Sequence, residues 1–187
     1  DGCDFQLFEA RNRFGGRIHS LQHGGAAFDL GPSWFWPGQH RIAALTKALG
    51  LERFDQYAEG AVSYESETGG VFCNAGFASM QGSWRLKSGM SGLITGLAEH
   101  LLPERLHLGH EVQAITQQGE IQFRSGQRWQ ARKVILALPP RLAAEVSFTP
   151  RLSPEQIKAL QEIPTWMAGH AKFVALYETP FWREAGL

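Results

Sequence analysis

The chain has 187 residues, enough for one domain or slightly more. Its apolar share of 43% is that of an ordinary globular protein, and 18 basic residues balance 18 acidic ones. This balance argues against a nucleic-acid or anionic-membrane partner, and no apolar run approaches the ~20 residues that span a bilayer.

The first residues, Asp1-Gly2-Cys3-Asp4, carry neither a basic segment with an apolar core nor a Met. A cytoplasmic location is expected, with the natural N-terminus further upstream. Cys3 and Cys73 form no disulfide framework and no metal set. Both sit beside aromatic residues, so buried free thiols are expected.

Phe5, Leu7 and Phe8 form a short apolar run expected to be a buried strand, ending on the acid Glu9. A polar turn follows, then Gly15, Gly16 and Arg17. An acid at the carboxyl end of such a strand can accept hydrogen bonds from a ribose diol. Paired glycines admit a ligand close to the backbone, and a nearby arginine can neutralise phosphate. The plainer alternative is a strand ending in a solvated turn.

Further along, Ile18–Leu21 reads as a strand, Gly24-Gly25 as a turn, and Ala27–Leu30 as a resumed apolar pattern that Gly31-Pro32-Ser33-Trp34 breaks. Trp34, Phe35 and Trp36 can line a pocket or pack in the core. Ile42, Leu45, Ala48 and Leu49 recur at helical spacing, with Gly50 as a stop. Val62–Tyr64 and Val71–Cys73 flank Thr68-Gly69-Gly70, a hairpin signal. Ser88 or Ser91 is expected to cap a helix bearing Leu93, Ile94, Leu97, Leu101 and Leu102, stopped by Pro103.

Leu106–Leu108, Glu111–Ile115, Ile121–Phe123 and Trp129 are expected to form a small antiparallel meander with turns at Gly119 and Gly126. His107 and His110 lack a third metal ligand at usable spacing. Val134–Leu138 is a continuous apolar run, expected to be a strand buried on both faces and ended by Pro139-Pro140. Ser153 and Pro154 open a short helix. Ala171–Tyr177 reads as an apolar strand containing Lys172, and Pro180-Phe181-Trp182 follows. A lysine on a strand usually packs its stem and leaves its amine in water.

Taken together, these stretches resemble the flavin-dependent amine oxidase family of monoamine, polyamine and L-amino-acid oxidase types. Glu9-Ala10-Arg11 and Gly15-Gly16-Arg17 match that family's FAD segment residue for residue. Gly31-Pro32-Ser33-Trp34 resembles its Asp-Leu-Gly-x-x-Trp stretch, with Pro32 where a second Gly is frequent, which removes one N–H donor. Ser88-Gly89-Met90 resembles a Gly-Gly-Met segment, and Lys133–Pro139 a strand returning to the FAD domain. The resemblance implies an α/β fold of FAD/NAD(P)-binding type. It implies FAD contacts at Glu9, Ala10, Arg11, Gly15, Gly16, Arg17, Gly31, Pro32, Ser33, Trp34, Val112 (through its backbone, at the adenine), Ala137, Leu138 and Pro139. It implies one catalytic residue, Lys172, holding a water at flavin N5.

The expected organisation is an FAD-binding part, residues 1–55 and 86–147, and an abbreviated substrate part, residues 56–85 and 148–187. The family's glycine-rich phosphate loop is expected before residue 1, and its C-terminal FAD segment after residue 187. The chain alone is therefore expected to be inactive and a poor FAD binder. The implied reaction oxidises a C–N bond of a small amine-like substrate, with dioxygen reoxidising the flavin. The alternatives are a related flavoprotein desaturase or protoporphyrinogen-type oxidase, or a non-catalytic remnant. Oligomeric state is not legible.

Overall fold

The computed structural model describes residues 4–73, 80–167 and 169–187. In chain order its strands are β1 (Leu7–Phe8), β2 (Ser20–His23), β3 (Ala26–Asp29), β4 (Arg53–Asp55), β5 (Ser63–Glu65), β6 (Val71–Cys73), β7 (Trp84–Leu86), β8 (Leu106–His107), β9 (Val112–Thr116), β10 (Glu120–Phe123), β11 (Arg128–Gln130) and β12 (Ser147–Thr149). The helices are α1 (His40–Ala48), α2 (Ser91–Glu99), α3 (Pro140–Ala143), α4 (Pro154–Glu162) and α5 (Phe181–Glu184). The fold is α/β, as expected. It divides into two compact units: the chain up to Phe14 with Leu101–Ala171, and Gly15–His100 with Lys172–Leu187. These boundaries follow compactness. The functional division into FAD and substrate parts would follow ligand contact instead.

In the first unit, β1 pairs in parallel with β8, Leu7 opposite Leu106 and Phe8 opposite His107. Both strands therefore end on the same side, which puts Glu9 at a carboxyl edge. This corrects the expected meander, because Leu106 and His107 leave it for a partner 99 residues away in sequence. The meander itself is β9–β10–β11, with β12 added in parallel along β9. Ile115, Ile121 and Phe123 are buried in this sheet, and Ala143 and Val146 are buried in the same unit. α4 carries a full capping box: Ser153 Oγ accepts the Gln156 N–H, and Gln156 Oε1 accepts the Ser153 N–H at 2.9 Å.

The expected strand over Val134–Leu138 is absent. The segment has no regular secondary structure and is exposed, Ile135 at 92%, and among the described residues no strand pairs with it. An apolar run makes a doubly buried strand only when neighbours on both sides take up its N–H and C=O groups.

In the second unit, β2 and β3 form a hairpin around Gly24-Gly25. β4 pairs with β7, and β5 with β6, both antiparallel. The β5–β6 hairpin is exposed throughout, so Cys73 at its end is an exposed thiol; the expected burial is corrected there, and Cys3 lies outside the described residues. α1 closes as expected in a Schellman motif. The Leu51 N–H donates to Thr46 C=O at 3.0 Å and the Gly50 N–H to Lys47 C=O at 3.1 Å. Phe35, Leu86, Met90 and Leu93 are the buried core of this unit, with Ile42, Leu45 and Trp84 packed on them. Phe35 is therefore a packing residue.

α2 begins differently from its expected form. Neither Ser88 nor Ser91 caps it locally. The Met90 N–H donates to Asp29 Oδ1 at 2.8 Å, and the Ser91 N–H donates to Ser20 Oγ at 3.0 Å. Ser20 in turn donates its own N–H to Ser91 Oγ at 2.8 Å and its hydroxyl to Asp29. The cap comes from the β2–β3 hairpin. It requires a glycine at position 89, where a Cβ would stand 2.5 Å from Ser20 Oγ and 3.0 Å from Asp29 Oδ1. α2 ends at Glu99, so Leu101 and Leu102 lie beyond it, and Pro103 opens a 3-10 turn instead of stopping the helix.

The expected strand over Ala171–Tyr177 is also absent. That stretch has no regular secondary structure and is largely exposed, Phe173 at 90%, with no strand partner among the described residues.

Candidate active site

The predicted site residues divide between the two units. In the first, Glu9 is half-buried at the end of β1. Its N–H donates to His107 C=O and its C=O accepts the His110 N–H, each at 2.9 Å. These bonds carry the β1–β8 pairing one residue further and hold the carboxylate at the strand terminus. Glu9 Oε1 accepts the Arg11 N–H at 2.9 Å, which fixes the side chain against the turn. Ala10 and Arg11 are exposed on that turn, and Arg11 C=O accepts the Gly109 N–H. Under them Phe8 stacks on His107 at 4.8 Å between ring centroids and also meets Phe123 and Trp129. His107 and His110 are packed in this aromatic cluster and bonded to Gln6, Gln127 and Leu108 C=O. Among the described residues no three His, Cys, Asp or Glu gather as a metal set. Val112 is half-buried at the start of β9. Ala137 and Leu138 lie in the exposed segment, and Pro139 precedes α3 as its N-cap.

The second unit brings its candidates together. Gly15, Gly16 and Arg17 form a turn closed by the Ile18 N–H donating to Gly15 C=O at 2.9 Å. Gly31 lies directly against that turn: a Cβ at Gly31 would sit 2.0 Å from Arg17 C=O, so only glycine allows the two segments to touch. The adjacent Leu30 N–H donates to His19 C=O at 2.8 Å. A Cβ on Gly16 would meet nothing within 4 Å. Pro32 is exposed, Ser33 is 2% exposed, and Trp34 is half-buried with its indole N–H on Gln56 Oε1 at 3.0 Å.

Lys172 reaches this same turn. Its Nζ donates to Gly31 C=O at 3.0 Å and to Ser33 Oγ, and stands 4.9 Å from the centre of the Trp34 ring. The lysine is exposed, with its amine hydrogen-bonded to the turn. Loss of hydration at that end pushes its pKa below the ordinary lysine value; the Asp29 carboxylate opposes this and Arg85 adds to it.

Two groups here were not singled out from the sequence. Asp29 is 3% exposed, and its Oδ2 is buried without a hydrogen-bond partner, as is Nε of Arg85. A charged residue inside the apolar run Ala27–Leu30 is a signal that such a side chain has a structural or electrostatic task.

The first unit thus carries an acid at a strand end, and the second a lysine amine held on a glycine turn. The family profile described as flavin containing amine oxidoreductase matches residues 1–79 and 60–187, and the chain belongs to that family. FAD is the cofactor of the family. Within the first unit, the strand-end carboxylate of Glu9 has the chemistry to accept hydrogen bonds from the ribose of such a dinucleotide.

A relative described as probable flavin-containing monoamine oxidase A, from Dictyostelium discoideum, is 29% identical over 54% of this chain and 23% of its own length. Putrescine oxidase from Kocuria rosea is 38% identical over 36% of this chain and 14% of its own. A solved structure of putrescine oxidase bound to putrescine superposes with a TM-score of 0.78 at 20% identity, covering 99% of this chain and 63% of that one. Cyclohexylamine oxidase from Brevibacterium oxydans gives 0.73 at 14% identity, over 85% and 58%. The stretches matched in the two curated relatives are less than a quarter of those proteins. Among the described residues no helix is long and apolar enough to cross a membrane.

Proposed function

We propose that the full protein carrying this chain is an FAD-dependent amine oxidase acting on a small amine-like substrate, with dioxygen as the final electron acceptor. FAD, when bound, would supply the two-electron redox chemistry that links oxidation of the C–N bond to reduction of dioxygen. The residues of this chain bind and orient. The Glu9 carboxylate accepts hydrogen bonds from a ribose diol, with Ala10, Arg11, Gly15, Gly16, Arg17 and Val112 forming the rest of the dinucleotide surface. Gly31, Pro32, Ser33 and Trp34 make a second surface, and Ala137, Leu138 and Pro139 belong to the same reading. Lys172 holds a water on its free side, where that water can give or take a proton during turnover. The functional parts are residues 1–55 with 86–147 for FAD, and 56–85 with 148–187 for substrate.

The observation that carries the reading is Lys172, whose amine is fixed on Gly31 and Ser33 over the Trp34 ring. Replacing it with Met keeps the stem volume and removes the donor. Stopped-flow traces of the full protein should then show a slower reductive or oxidative half-reaction with the fold intact, and parent rates in both would defeat the role. Glu9→Ala should weaken FAD binding by about 1.5–3 kcal/mol, the usual worth of a charge-assisted hydrogen bond. An unchanged dissociation constant would remove Glu9 from the site.

A further inference from the structure

Ser33 is 2% exposed, yet both faces of its hydroxyl are occupied. Its Oγ–H donates to Gly31 C=O at 3.3 Å. The proton is thereby committed, and the oxygen presents its lone pairs to Lys172 Nζ, which donates to it. The same Gly31 carbonyl accepts a second N–H of Lys172 at 3.0 Å. Two of the amine's directions are thus taken, and the Trp34 face lies 4.9 Å from the nitrogen.

We propose that Ser33 is a positioning residue for Lys172: with the Gly31 carbonyl it fixes two N–H bonds of the amine and leaves one direction for an external ligand. In the charged amine that direction carries the third N–H and donates. In the neutral amine it carries the lone pair and accepts. Either form is aimed along the same line, so the turn sets direction while pH sets polarity. The charged groups acting on the amine are Asp29 at the end of β3 and Arg85 on β7, with opposite signs. This inference rests on the reading of Lys172 as a water-holding residue for its use in turnover, but not for the clamp itself.

The clamp has a readout of its own. An acceptor on the ammonium favours the charged form, so removing it lowers the lysine's proton affinity further. Competitive acetylation across pH, read by mass spectrometry on the Lys172 peptide of the full FAD-loaded protein, measures that affinity directly. Ser33→Ala should lower it by about half a pKa unit, a roughly threefold rise in neutral amine at fixed pH. The limiting pKa of flavin reduction should move with it. Ser33→Thr, which keeps the hydroxyl, should return both to parent values. Ser33→Cys keeps volume with a weaker acceptor, should shift in the same direction as alanine, and carries the test should alanine fail to fold. Superimposable labelling curves for the parent and the folded Ala or Cys variant would overturn the proposal. A labelling shift in Ser33→Ala together with parent half-reaction rates in Lys172→Met would leave the clamp standing and remove the catalytic reading of Lys172.

Discussion

Helices α2 and α4 both begin close to serines, yet their starts are built in different ways. α4 is capped within four residues, by Ser153 and Gln156 exchanging bonds with each other's backbone. α2 is capped from a distance, by Asp29 and Ser20 on the β2–β3 hairpin, 61 and 71 residues away in sequence. The N-terminal N–H groups of a helix need acceptors in either case, and any oxygen the fold delivers will serve. A local cap stabilises its own helix. A distant cap also ties that helix to the element that supplies it, so its loss is felt by both. One of the two capping residues, Asp29, lies two positions before the carbonyl that accepts from Lys172 Nζ.

The comparison can be broken most sharply at Asp29. Asp29→Ala removes an acceptor shared by the Met90 N–H and the Ser20 hydroxyl and leaves a buried backbone N–H without a partner. The expected loss is about 3 kcal/mol. Urea unfolding should report it, and hydrogen exchange at the Met90 and Ser91 amides should accelerate. Parent-like protection of those amides would mean that the hairpin does not cap α2.

Ser153→Ala should cost about 1 kcal/mol, the usual worth of a serine cap, with faster exchange confined to the first turn of α4. If the loss spread to distant amides, the distinction between a local and a distant cap would fail. The smallest effect is expected at Ile135. At 92% exposure its replacement by Ser should change the stability of this chain by less than about 0.5 kcal/mol. A loss of 2 kcal/mol or more would show that the segment is packed after all.

By itself, the sequence determined the elements whose bonding closes locally. The β2–β3 and β5–β6 hairpins, the β9–β11 meander, the Schellman end of α1 and the capping box of α4 each join residues a few positions apart. In each, turn chemistry and alternation specify the bond and its partner together. The matched motifs of Glu9–Arg17, Gly31–Trp34 and Lys172 were enough to recognise the family. Tertiary structure decided what depended on a distant neighbour. It paired β1 with β8, supplied the cap of α2, brought Gly31 onto Arg17, and carried Lys172 across 139 residues of chain to Ser33. It also left Val134–Leu138 and Ala171–Tyr177 outside any sheet, where apolarity alone implies strands. The physical reason is the same throughout. A residue's chemistry states what it must satisfy, whether a hydrogen bond, a charge or an apolar surface. Only the folded chain determines which partner stands close enough to satisfy it.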